Sequence, residues 1–255
     1  MTSTDRSDII ALVKALAPWA EGEASPILGG INAARARLLE FDAAHYGMTR
    51  NHTDGGVLRI GPYVRHGVIP LADLRDHARE KGYGAGAFLQ QLGWRDYFQR
   101  IWRTHPDWIW DNVADYKTGY SADDYADDLP DDILTGETGV AAIDGFIAEL
   151  VTTGYLHNHT RLYLAAYIVH WRRVKWQAGA RWFLTHLLDG DPASNNMSWQ
   201  WVSSTSSNKP YYFNLDNLQK FAGNTTDTSY ARNKPLAGSY EDLRGRLFPL
   251  AGTEW

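Results

Sequence analysis

The chain has no cysteine among its 255 residues. That excludes disulfides, thiolate nucleophiles and every cysteine-ligated zinc or iron–sulfur site, and it fits a reducing compartment. Apolar runs of membrane-spanning length are missing too. The opening segment MTSTDRSDII places acids where a secretory signal needs cations. A cytoplasmic protein without membrane association is expected. Positive charge is in the minority: 25 Lys and Arg against 30 Asp and Glu leave a formal net charge of −5. Binding to nucleic acid therefore needs a local basic patch. Alternating strand patterns are scarce, and no G-x-S-x-G elbow or HExxH helix gives a hydrolase reading a motif.

What the chain has is aromatic side chains, with 11 Trp and 14 Tyr. Most sit on a helical period. In FLQQLGWRDYFQRIW the apolar residues Phe88, Leu92, Trp94, Tyr97, Phe98, Ile101 and Trp102 recur at threes and fours. Leu162, Ala165, Ala166, Val169 and Trp171 repeat the pattern, with Arg172 and Arg173 suited to a helix C-terminus. Further helices are expected through GARWFLTHLL and INAARARLLEFDAAHY. Glycine and proline punctuate the chain between helices, with no single linker. The fold class expected is all-α, one helical domain over 1–255 with a loop-rich segment from about 224 to 255.

Three other features carry less. SADDYADDLPDD holds six aspartates in twelve residues, without the spacing or glycine of a calcium loop, and reads as a solvated acidic loop. GYGAGAF follows no expected strand, so it is a helix start rather than a dinucleotide fingerprint. His157 and His159 of HNHTR lie two apart and would diverge on a helix, so no metal is expected.

Three segments mix aromatics with basic or amide groups: WRDYF at 94–98, HNHTR at 157–161 and DGDPASNNMSWQW at 189–201. A buried Arg161 would need a carboxylate, and Asp189 is the candidate. Asp191, Asn195 and Asn196 offer hydrogen bonds to a flat heterocycle, with Trp199 and Trp201 beside it. The alternative is an aromatic core whose amides cap helix ends.

Taken together, GYLHNHTRLYLAAYIV and ARWFLTHLLDGDPASNNMSWQW resemble the FAD-binding helical domain of the photolyase/cryptochrome family. LGWRDYF, GGVLRIGPYVRHG, YGMTRN and TGETGVAAIDGFIAEL extend the resemblance, in the family's order, over about residues 30–220. It implies a folded-over FAD held by Tyr46, Arg59, Arg95, Asn158, Arg161, Asp189, Asp191 and Asn195. Arg161 and Asp189 would pair over the isoalloxazine, with Asn195 facing its N5. Trp199 and Trp176 match members of the family's electron-carrying tryptophan chain. Trp94 and Trp201 match the pair framing its lesion pocket, with Gln91 in place of the lesion-binding glutamate and Asn158 matching the cyclobutane type.

The departures also matter. The hydroxyls of the family's phosphate loop are replaced by Val57, Leu58 and Gly61, the second arginine of its M-H-N-R by His159, and a later arginine by Phe213. The third tryptophan of the chain falls in the acidic loop, where Tyr120 or Tyr125 stands in. The family's α/β antenna domain is not expected on this chain, which leaves that role to a separate partner protein. Three functions follow: blue-light repair of cyclobutane pyrimidine dimers in UV-damaged DNA, single strands favoured; a cryptochrome-like photosensor or redox flavoprotein; or a helical protein that has lost FAD.

Overall fold

The computed structural model describes residues 5–19, 22–82 and 84–252. The N-terminal MTST, Tyr83 of GYGAGAF and the last three residues of the loop-rich tail lie outside them. Thirteen α-helices form among the described residues. They begin with α1 (Arg6–Leu16), α2 (Ile31–Leu39), α3 (Ala43–Thr49), α4 (Gly61–Arg65), α5 (Leu71–Lys81) and α6 (Gly86–Thr104). There follow α7 (Asp131–Thr135), α8 (Ala141–Thr153), α9 (Asn158–Ala166), α10 (Trp176–His186), α11 (Pro192–Ser203), α12 (Leu215–Ala222) and α13 (Tyr240–Leu247). Extended pairing among the described residues is limited to an isolated parallel bridge between Ala126 and Val174. The fold is all-α.

Several helix boundaries differ from the sequence reading, each for a local reason. INAARARLLEFDAAHY is two helices, because Asp42 leaves the helical conformation (φ −107°, ψ 106°) and its carboxylate accepts from the His45 N–H. An N-cap of this kind satisfies one of the donors a helix start leaves unpaired. The helix expected over 162–171 stops at Ala166 and widens into a π-helical turn, Tyr167–Trp171. There the buried His170 sets its Nε2 3.0 Å from the Val202 carbonyl of α11. Beyond the turn Arg172 pairs with Asp132 at 2.7 Å, and Arg173 takes a left-handed φ of 49° over the Tyr120 ring. The acidic segment is thus partly tied down, with Asp127 also meeting Lys175 at 2.6 Å. Among its described residues the tail contains one α-helix, α13, whose first turn Ser239 and Asp242 close reciprocally as a capping box.

Two apolar clusters set the frame. The larger joins α8, α9, α10 and α11 through Phe146, Tyr163, Phe183 and Trp199. The smaller joins α3, α5 and α6 through Tyr46, Leu74, Ala78 and Phe88. Between them runs a cleft floored by the 57–61 loop, the start of α9 and the 189–191 turn.

Candidate functional site

The turn before α11 places two aspartates in different roles. Asp191 is the N-cap: its carboxylate accepts from the Ser194 N–H (3.1 Å) and hydroxyl (2.7 Å), and from the Gln99 amide of α6 at 2.7 and 2.9 Å. Proline follows at the first helical position, where its missing N–H costs nothing. Asp189, two residues earlier, turns to Arg161, whose Nη2 lies 2.9 Å from both carboxylate oxygens. The Arg161 Nε donates to the Leu156 carbonyl at 3.0 Å. The pair is largely buried, the two side chains 25 % and 11 % exposed. Tyr155 lies beneath two guanidiniums, Arg59 and Arg161, at 5.3 and 5.5 Å from its ring centre. Arg59 holds φ 49°, a left-handed backbone that few non-glycine residues adopt.

Two recesses meet at this pair. The inner one, about 620 Å³ with its mouth, is lined by Asp191, Asn195, Trp199, Phe183 and Leu187. The outer one, about 1010 Å³ with its mouth, is lined by Tyr46, Arg59, Gln91, Trp94, Phe98 and Tyr155. Arg95, Asn158, Arg161, Asp189, Ser194 and Ser198 line both, so the recesses are continuous. Recesses with a few convergent polar groups are typical of cofactor sites.

The structure brings most of the residues singled out from the sequence to this one cleft. Trp176 lies behind it, fully buried, its indole N–H donating to the Asn112 amide oxygen at 2.7 Å. Trp201 is 46 % exposed and lines a separate hollow, its ring 5.5 Å from that of Tyr211. Asn196 is buried away from the cleft and donates to the Ile109 carbonyl at 2.6 Å. Asn195 donates to the Ala180 carbonyl at 3.1 Å, which orients its amide. His157 and His159 do not converge. His157 caps α9, while His159 turns its Nδ1 to the Asn51 carbonyl at 2.7 Å and stacks on Tyr163. Burial lowers the His157 pKa from 6.5 to about 4, with His159 and the nearby arginines adding to the effect. Sequence reasoning passed over Ser194, Ser198 and Gln99. The first two follow from Asn195 and Trp199, since serines at i and i+4 on α11 must share a face.

Do these residues suit the flavin that the resemblance implies? A fixed cation–anion edge faces the inner recess, and the Trp199 indole N–H there is buried without a partner among the described residues. The Trp199 ring rests on Gly179 of α10, where a Cβ would collide with it. Gly61 likewise lets the 57–61 loop close on Asp189, whose carboxylate a Cβ would strike. Residues 57–61 line the outer recess, so the Arg59 cation stands on a loop that carries no hydroxyl. Flat walls, a polar edge and an outer cationic rim fit a heterocycle with an anionic tail.

Residues 88–232 match the family model described as the FAD binding domain of DNA photolyase. The chain belongs to the photolyase/cryptochrome family. FAD is its cofactor. It is 34 % identical over 169 residues to the deoxyribodipyrimidine photo-lyase of Streptomyces griseus, covering 66 % of this chain and 36 % of that protein. It is 39 % identical over 209 residues to that of Salmonella typhimurium, covering 73 % and 41 %. The chain thus spans about two fifths of the length of these photolyase relatives. Among solved structures, a bacterial class III photolyase from Agrobacterium tumefaciens superposes with a TM-score of 0.72 at 20 % identity, over 92 % of this chain and 60 % of that one. A Synechocystis cryptochrome gives 0.69 at 18 % identity, over 91 % and 49 %. An archaeal photolyase from Sulfolobus tokodaii, solved with two FAD molecules, gives 0.67 at 25 % identity, over 95 % and 54 %.

Proposed function

We propose that this photolyase-family domain carries out light-driven electron transfer to cyclobutane pyrimidine dimers in damaged DNA, with single strands preferred. The observation that carries the reading is the continuity of the two recesses across Arg161 and Asp189, so that a base entering past Trp94 and Gln91 reaches the inner cavity's edge. Trp94 is 48 % exposed and stacks on Phe98 at 5.8 Å, a flat wall for an extruded base. Gln91 presents both a donor and an acceptor to a pyrimidine edge. Asn195, Arg161, Asp189 and Asn158 would hold the isoalloxazine, and Tyr46, Arg59 and Arg95 the rest of FAD. The chemistry FAD supplies when bound and reduced is a photoexcited electron, passed to the dimer and returned once its ring opens, with no net redox change. Trp199 and Trp176 supply oxidisable indoles leading inward from the protein. Single strands are preferred because an acidic chain has few cations for a duplex backbone, and an unpaired lesion is cheaper to extrude. The lack of cysteine fits a cytosolic site of action, and a separate partner protein would supply any antenna chromophore.

Gln91, neutral where the family's lesion pocket has a glutamate, favours a second reading, a photosensor or redox flavoprotein without repair. UV-irradiated oligothymidylate, incubated with reduced protein under blue light, separates the two. Repair restores thymine absorbance, faster in single strands, and Trp94→Ala abolishes it with FAD retained. A holo-protein that photoreduces but restores no thymine in either strand form leaves the sensor reading.

A further inference from the structure

The two aspartates beside the inner recess differ in what balances their charge. Asp189 has Arg161 at 2.9 Å. Asp191 is buried, only 3 % exposed, yet among the described residues no lysine, arginine or histidine comes within ion-pair distance of it. Its donors are all neutral: the Gln99 amide nitrogen at 2.7 and 2.9 Å, the Ser194 N–H at 3.1 Å and the Ser194 hydroxyl at 2.7 Å. Both of its oxygens only accept, as those of an ionised carboxylate do. Hydrogen bonds and the positive end of α11 make such a buried anion tolerable without a cation. Arg95, the other cation of the recess, forms no ion pair with it. Gln99 itself lines neither recess; it lies on α6 behind Asp191 and reaches the cavity only through that carboxylate.

A fixed negative charge at the edge of a cavity acts on whatever the cavity holds, and more strongly there than in water. Reduction of a flavin by two electrons with uptake of one proton adds one negative charge to its ring system. A carboxylate beside the ring, unbalanced by a cation, opposes that gain. From this we propose that Gln99 is a positioning residue that sets the reduction potential of the bound flavin. Its amide holds Asp191 against the inner recess without cancelling the charge, and so keeps the potential low and the reduced flavin a strong electron donor. A cation at position 99 would hold the carboxylate as firmly but neutralise it, which is why the neutral donor matters. The proposal rests on the flavin site alone and holds under either reading of the function, repair or sensing.

The test is a redox titration of the FAD-loaded protein in the dark, with dithionite as reductant and an indicator dye of known potential. Gln99→Arg puts a counter-ion in place of the amide and should raise the midpoint potential. Cancelling one unit charge in a partly solvated site shifts an equilibrium about tenfold. For a two-electron couple, tenfold corresponds to about 30 mV. Asp191→Asn removes the charge but keeps a good N-cap, and should raise the potential by a similar amount. It keeps the proposal testable if the longer arginine disturbs the packing. Asp96→Asn removes an exposed acid of the same helix, paired with Arg100 at 2.8 Å, and should leave the wild-type potential unchanged. Far-UV circular dichroism and flavin absorbance show that each variant is folded and loaded. A purely structural Gln99 would weaken FAD binding without moving the potential upward in both variants. The proposal is overturned if folded, loaded Gln99→Arg and Asp191→Asn keep the wild-type potential or lower it, or if Asp96→Asn raises it as far. Neither DNA nor light enters the measurement, so a failure to repair dimers bears on the function reading and not on this result.

Discussion

Replacing Asp189 with alanine isolates the element on which the cleft depends. The wild-type carboxylate takes two charge-assisted bonds of 2.9 Å from one guanidinium nitrogen. Without it, Arg161 keeps the Leu156 carbonyl and the face of Tyr155, neither of which carries a compensating charge. Removing one partner of a fully buried pair costs about 3–5 kcal/mol. Here the arginine side chain is 25 % exposed, so water solvates part of the stranded cation and the expected loss falls to about 2 kcal/mol. Asp189→Asn keeps an acceptor without the charge and should lose about half as much. Urea denaturation of flavin-free protein measures the stability term, and titration with FAD measures the second expected effect, weaker flavin binding. The double variant Arg161→Met with Asp189→Ala removes cation and anion together, and should recover much of the stability but not the FAD affinity. If Asp189→Ala unfolds within about 0.5 kcal/mol of wild type and binds FAD unchanged, the pair is a solvated contact and the argument from burial fails.

Acid should destabilise the fold through two buried histidines. Burial lowers the pKa of both His157 and His170 from 6.5 to about 4, so the unfolded chain binds protons across that interval while the folded chain does not. Stability is thus highest above pH 6.5 and falls as pH drops towards 4, by about 2 kcal/mol per histidine at pH 5. Urea midpoints at pH 7.5 and 5 should show the difference, and His157→Gln should remove part of the slope. Gly179→Ala drives a methyl group into the Trp199 ring and should cost about 1–3 kcal/mol, seen as a lower thermal midpoint together with a shifted flavin spectrum. Trp199→Phe keeps most of the packing but removes the oxidisable indole nearest the cleft. Photoreduction by an external thiol under blue light should slow sharply, and unchanged kinetics would mean electrons travel another way, such as through Tyr155.

The sequence reading reached furthest where a residue's partner was dictated by chemistry alone. A buried Arg161 needs an anion, and Asp189 supplies it. The long helices α6 and α10 followed from period, since an apolar stripe has to face something, whereas the polar start of DGDPASNNMSWQW hid α11. The break at Asp42 was legible too, as a polar cap just ahead of a helical run, but the apolar pattern outweighed it, while the capping box at Ser239 lay in a tail read as loop. Other features depend on a distant element and leave no local trace. The π-helical turn places His170 against the Val202 carbonyl, a partner fixed only by how α9 and α11 pack. The facing of Trp94 and Trp201 into neighbouring recesses is of the same kind.

The two aspartates of DGD show how narrow the margin is between these cases. Both are acidic and both line the inner recess, and the resemblance assigns both to the flavin. Capping chemistry separates them. An aspartate directly before a proline that opens a helix is suited to accept the first free N–H groups, and Asp191 does so, with Gln99 taking up its remaining capacity. Asp189 lies two residues outside the helix, has no such donors, and so meets the arginine. The same asymmetry gives the two residues different expected phenotypes. Asp191→Ala should fray the start of α11 and loosen its contact with α6, moving Asn195 and Trp199 together. Asp189→Ala should leave that geometry intact and remove charge from the cavity's edge. Hydrogen exchange of the first-turn α11 amides would distinguish a residue that builds the site from one that faces its ligand: in the first variant they speed up more than the rest of the core, and in the second only in step with the global loss of stability.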